Sequence, residues 1–237
     1  MKRSCPLEPA RHALFQEQDA ETALKLLHPL QYKPLSASQQ RAMWDLAALA
    51  YRQQRRFDLA YQIYLREENP FLAGYCLLLA GEVNSIGQYW TPLLERRPNH
   101  WCATLWGLVT GRLMLWPTFL QIRNFLEADI ASLIHAQQFL MLENLLTVGE
   151  NLVQINMETP KYMGRAMMNA GWLDRAEPYF MQAQKLLPQD PEIYFHLAQL
   201  RQRQGQTEEL PLLLKQCLMI IPGYVPAKKM LASLGPL

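Results

Sequence analysis

Charge is sparse in this 237-residue chain, at 19% of residues, and its two signs nearly cancel: 23 Lys and Arg against 21 Asp and Glu leave a net charge of +2. So small an excess gives no electrostatic case for a nucleic acid or an anionic membrane as partner. Cysteine is scarce too. Cys5, Cys76, Cys102 and Cys217 lie far apart and form no C-x-x-C pair, which argues against a secreted disulfide framework and for reduced thiols in a cytoplasmic protein. Met1-Lys2-Arg3-Ser4-Cys5-Pro6 is positively charged with no apolar run behind it, so no signal peptide is expected.

Catalytic motifs are missing as well. His12, His28, His100, His135 and His196 are scattered, none at metal-ligand spacing with Cys, Asp or Glu. His100-Trp101-Cys102 reads as a helix start. There is no phosphate-cradling glycine loop and no nucleophile elbow. The expectation is a non-enzymatic protein without cofactor or metal. The one long apolar stretch, Trp101–Ile122, approaches the roughly 20 residues a membrane helix needs. Arg112, the Gly107 and Gly111 pair and Pro117 interrupt it, so two buried helices broken near Trp116-Pro117 are expected instead of a span.

What the chain has is helix-forming apolar residues in a repeating order. Half of it is hydrophobic, and a 34-residue period runs through Met157–Pro222. Shifted by that period, Met163 falls on Leu197, Gly164 on Ala198, Gly171 on Gly205 and Phe180 on Leu214. Ala183 falls on Cys217, Leu186 on Ile220 and Pro188 on Pro222. A period of this length with small residues, a turn glycine and a closing proline in phase marks a helical repeat array. Val225–Leu234 continues in phase as one closing helix, its Met230, Leu231 and Leu234 available to cover the last repeat while Lys228 and Lys229 face water.

Upstream, Leu7–Gln16 and Ala20–Leu30 read as a first helix pair, and Ser36-Ala37-Ser38 as the polar start of the next helix. Trp44, Ala47, Ala48 and Tyr51 share one face of that helix. Phe57, Ala60 and Tyr64 define its partner, which stops at Asn69-Pro70. A third pair runs from Phe71 to Pro98 with Gly81 at its turn, and Pro92 marks a kink or a late helix start. The period then fails. His100–Leu115, Pro117–Glu127 and Ala128–Thr147 read as helices, Gly149 breaks the pattern, and Glu150–Asn156 is a short helix. Thr159-Pro160 reads as a cap followed by proline at the first helical position.

These residues resemble the tetratricopeptide repeat family, whose unit is two antiparallel helices with a small residue mid-helix, a turn glycine and a closing proline. The matches are Tyr194, Leu197, Ala198, Gly205, Cys217 and Pro222 in one repeat; Met163, Gly164, Gly171, Ala176, Phe180, Ala183 and Pro188 in another; and Trp44, Ala47, Ala48, Tyr51, Ala60 and Tyr64 in a third. Departures are Leu210 for a small residue, Arg55 for the turn glycine, and Met167 and Arg201 for an aromatic. The resemblance implies an all-α fold: a right-handed superhelical array of antiparallel helix pairs (a TPR-like α-solenoid) with a C-terminal capping helix. It is read as a single domain over 1–237. The repeats lie at about 4–37, 41–70, 71–99, 157–190 and 191–224, an irregular region fills 100–156, and the capping helix is 225–234.

The resemblance also implies a concave groove lined by the first helix of each repeat. Its candidates here are Lys161, Arg165, Met168 and Asn169, then Phe195, Gln199, Gln202 and Arg203. Arg165 and Gln199 are one period apart, as are Asn169 and Arg203, so they form a ladder of donors suited to a peptide backbone or an acidic peptide; a solvated helix face is the alternative. Trp172 at a turn is a further contact candidate, whereas Trp44, Tyr51 and Trp90 fall on packing positions. Arg52, Arg55 and Arg56 read as a solvated turn. The function expected is a scaffold or adaptor for a protein segment or partner helix. The alternatives are a structural subunit or homo-oligomer that uses the irregular 101–156 region and, more distantly, an enzyme or ligand sensor with a pocket there.

Overall fold

A computed structural model describes residues 5–113 and 115–234. Those residues form fourteen α-helices, four 3-10 turns and no strand. They pack as two compact bodies, Met1–Cys102 and Ala103–Leu237, and the division falls inside one helix.

The N-terminal body contains α1 (Glu8–Phe15), α2 (Ala20–Leu27), α3 (Ala37–Gln53), α4 (Phe57–Arg66), α5 (Pro70–Ala80) and α6 (Gly87–Arg96). Each helix packs on the next in the chain. Helix starts follow from local chemistry. Asp19 and Asn69 accept from the backbone N–H three residues on, at 2.9 and 3.1 Å, and Ser36 with Gln39 forms a reciprocal capping box. Small residues let the helices approach. Ala23, Ala48, Ala50, Ala60 and Ala73 are wholly buried, with Tyr64 and Met43 filling the space between them. In α5 every residue from Ala73 to Leu79 is buried. There, a Cβ added to Gly74 would stand 2.3 Å from Trp90 Nε1, which donates to Phe71 O at 3.0 Å. Trp90 is wholly buried; Trp44 and Tyr51 are partly buried against the cluster that holds Ala47, Ala48, Ala60 and Tyr64. The arginines of the α3–α4 turn lie on rings: Arg52 over Tyr75 at 5.0 Å and Arg56 over Tyr51 at 5.4 Å. Pro92 sits inside α6, which begins at Gly87, so the helix does not start late. Pro178 likewise lies inside its helix, further in than the first turn.

Trp101–Val109 (α7) carries the division. The C-terminal body continues with α8 (Phe119–Ala136), α9 (Phe139–Gly149), α10 (Thr159–Asn169), α11 (Leu173–Leu186), α12 (Pro191–Arg203), α13 (Leu210–Ile220) and α14 (Val225–Ser233). No helix among the described residues is long and apolar enough to cross a membrane. The expected break between Glu127 and Ala128 does not occur. Thr118 and Gln121 form a capping box that starts α8, and the helix runs on to Ala136, where Gln137 turns left-handed (φ +60°).

Gln137 also restores the phase that the sequence conceals. It stands 34 residues before Gly171 (φ +81°), which stands 34 before Gly205 (φ +76°), and all three make the left-handed turn between paired helices. Gly149, read as a break, falls 34 residues before Ala183 and 68 before Cys217, at the second helix's small position. A Cβ there would come 2.7 Å from Met163 Cε. In α10 a Cβ on Gly164 would meet the Phe180 ring at 3.0 Å, so α10 and α11 approach closely. At the far end Met230, Leu231 and Leu234 pack on the cluster of Ala198, Leu210, Leu214, Cys217 and Ala227, with Lys228 and Lys229 exposed.

Candidate functional site

The donors anticipated on α10 and α12 meet different fates. Lys161, in the first turn of α10, is 3% exposed. Its ammonium donates to Glu158 Oε1 at 2.9 Å, Asp190 Oδ2 at 2.6 Å and Glu192 Oε2 at 3.0 Å. An ammonium has three protons to give, so Lys161 offers none to a ligand. Arg165 is half-buried and pairs with Glu127 of α8 at 3.3 Å. Gln199 Oε1 meets His196 Nδ1 at 3.0 Å. Asn169 and Arg203 are exposed, and Arg203 Nη1 donates to Met168 O at 2.7 Å, so α12 lies against α10 about one period out of step in sequence. Gln202 is exposed and Met168 buried; Phe195 is half-buried with its ring 5.6 Å from Tyr224. Trp172 is half-buried, its ring 5.9 Å from Phe139 and under Arg175 at 5.3 Å.

Around Lys161 the structure assembles a network that no linear motif announces. Tyr162 O–H donates to Glu158 Oε2, and Asp190 Oδ1 caps α12 by accepting from Glu192 N at 2.9 Å. The Lys161 ammonium and the Tyr162 hydroxyl outweigh burial and hold Glu158 below the usual carboxylate range; Lys161 does the same for Glu192. Despite its burial, the three carboxylates drive the Lys161 pKa upward. Burial and then Glu158 push Tyr162 up to about 12. His196 moves the other way, mainly because it is desolvated against Phe180, 5.7 Å away and nearly parallel. Thr159 does not cap α10. Its hydroxyl donates to Asn156 O at 2.6 Å, and Glu158 N–H donates to Asn156 Oδ1 at 2.9 Å.

Asn156, Glu158, Lys161, Asp190 and Glu192 of this network line a groove of about 950 Å³ at the N-terminal ends of α10 and α12. Phe119 and Arg123 of α8, the stretch before α10, the α11–α12 connection, and Ile221 and Tyr224 complete its walls. Arg201, which stands where an aromatic was expected, bonds Glu177 at 2.7 Å and Glu209 at 2.9 Å, so a charge-assisted tie replaces ring packing. Among the described residues, no three His, Cys, Asp or Glu side chains converge to hold a metal ion.

Comparison with protein-family models and with curated proteins finds no match to this chain.

Proposed function

We propose that the chain is a TPR-like α-solenoid that binds a segment or helix of a partner protein without chemistry of its own, presenting the α10–α12 face to it. The observation that carries the reading is the recurrence of left-handed turn residues Gln137, Gly171 and Gly205 at 34-residue intervals. With α12 hydrogen-bonded to α10, that recurrence supports a stack of helix pairs, an architecture whose usual product is an extended binding surface. Asn169, Gln202 and Arg203 are its exposed polar groups, flanked by Arg165 and Gln199. Because Lys161 is saturated and Arg165 paired, an acidic peptide finds fewer cations here than the sequence alone suggests.

The test is affinity capture with the parent and with Arg165→Glu/Arg203→Glu. Partners held by the parent should be lost from the double variant while its helical circular dichroism is kept; loss of the Arg165–Glu127 pair should lower its melting temperature somewhat. Capture of the same partners by both proteins removes the α10–α12 face from consideration.

A second reading has its own support. Of seventeen large hydrophobic side chains exposed among the described residues, eight fall between Trp116 and Met157. That concentration favours a subunit that buries this region against itself or a larger assembly.

A further inference from the structure

We propose that His100 is a proton-operated cap on α7: the neutral imidazole holds the first turn of that helix, and the protonated ring releases it. His100 stands just before Trp101, where α7 begins, and its Nδ1 accepts from Cys102 N–H at 3.2 Å. That is the bond an N-cap side chain makes to the second or third helical residue. Asp19, Ser36, Asn69, Thr118 and Asp190 make it elsewhere in this chain. Their oxygens remain acceptors between about pH 5 and 8, the range in which a histidine changes charge.

A backbone N–H can only donate, so the Nδ1 that faces it presents its lone pair and the ring proton sits on Nε2. Packing holds the ring in that attitude. It is half-buried and edge-on to Phe71 of α5, with centroids 4.8 Å apart. Phe71 is itself stacked on the buried Trp90, whose indole N–H donates to Phe71 O. A proton on Nδ1 sets donor against donor across 3.2 Å, so the ring has to leave. It also places a positive charge at the positive end of the helix dipole. Both effects work against the cap.

Nearby charge does not rescue the cation. Arg97, just past the end of α6, is the charged group that acts on the ring. Glu95 and Arg96 of α6 are exposed and neither acts on it. The titratable groups of α5 and α7 are Tyr75, Cys76 and Cys102, a phenol and two thiols that keep their protons in acid. One ring further out, Arg52 of α3 lies over Tyr75, which is tilted against Phe71. Burial first and Arg97 second hold the His100 pKa below the ordinary histidine value. The cap's contribution is therefore present above about pH 6.5, the ordinary value, and is lost as pH falls through the lower folded one. The turn that acid loosens is the one at which the chain passes from the N-terminal body to the C-terminal one.

The experiment follows amide hydrogen exchange in the isotope-labelled full chain by nuclear magnetic resonance, at about pH 7.5 and about pH 5, with the intrinsic pH dependence of exchange removed. The readout is local because His196 is also desolvated and adds an acid response of its own in the C-terminal body. Protection of the Cys102 amide should fall roughly tenfold at the lower pH, the loss that a missing cap and a like charge at the helix end produce together. Protection of the Gln121 amide, capped by Thr118, should not change. His100→Asn keeps an acceptor that cannot titrate and should give the same Cys102 protection at both pH values; His100→Ala should give low protection at both. Parent protection that ignores pH, or that falls as far in His100→Asn, overturns the proposal. So does an equal fall at Gln121, a His100→Ala amide protected like the parent's near neutral pH, or a His100 ring that titrates at or above the ordinary value by its own nitrogen shifts.

Discussion

Lys161 shows how far a residue's role depends on partners remote in sequence. Read along the helix it is a groove lysine; in space it is held by Asp190 and Glu192, 29 and 31 residues away. Nothing local in α10 signals that. Replacing it by methionine leaves three carboxylates around an apolar side chain. Breaking a buried ion pair costs about 3–5 kcal/mol. With Glu192 45% exposed and screened, about 2–4 kcal/mol is expected near neutral pH. The pH dependence has a definite sign. Glu158 and Glu192 have lowered folded pKa values, so their contribution is present above the ordinary carboxylate pKa and lost as pH falls through the lower folded values. Lys161 and Tyr162 are raised; theirs is present below their unfolded values and lost only at strongly alkaline pH, for Tyr162 as pH climbs towards about 12. Glu127 is raised by burial and responds in the opposite sense to acid, but it is common to parent and variant. Urea melts should therefore show the gap between parent and Lys161→Met closing as pH falls from about 7 to about 3. A gap that does not change with pH would mean that the carboxylates do not stabilise the fold through this lysine.

Whole elements were legible where small residues mark the packing, and hidden where other residues take the same positions. The α10–α13 tandem and α14 show in the sequence because Gly164, Gly171, Ala198 and Gly205 repeat in phase. The α8–α9 pair has the same turn geometry, yet its turn residue is Gln137 and the position matching Gly164 is Ile130, which is wholly buried. A glutamine at φ +60° bears the steric cost that glycine avoids. Gln137→Gly should therefore stabilise the C-terminal body by up to about 1 kcal/mol, and Gly171→Gln should destabilise it by a similar amount. Opposite shifts in urea midpoint check this, and shifts of the same sign would separate the two turns. Close approach gives a sharper test. Gly164→Leu drives a side chain into Phe180, where even a Cβ stands 3.0 Å from the ring, and Gly74→Ala sets a methyl 2.3 Å from the buried Trp90 indole. Each should cost about 1–3 kcal/mol or more from overpacking, read as a lower melting temperature by circular dichroism. A melt that overlays the parent's would refute the packing assigned to that glycine.

For the molecule as a whole, the helices are easier to see in the sequence than the use they are put to. Its nine site candidates do lie on α10, α12 and the turn after α10, but the structure divides them between engaged and available groups. Arg165 is held by Glu127 and Trp172 lies against Phe139, and both partners belong to the stretch the sequence left unphased. That same stretch carries the apolar surface. Leu140 is 77% exposed and Leu120 60%, with Trp116, Phe119, Phe125 and Phe139 each between 43% and 50%. A net charge of +2 supplies little repulsion to keep such surfaces apart. Self-association should therefore grow with concentration, giving a light-scattering mass above that of one chain. Leu120→Lys/Leu140→Lys adds charge to two exposed side chains and should return that mass to a single chain without lowering the melting temperature. If the parent stays monomeric at every concentration, the homo-oligomer reading is lost and the apolar region is left to a different protein. If both proteins associate equally, the contact lies elsewhere on the chain.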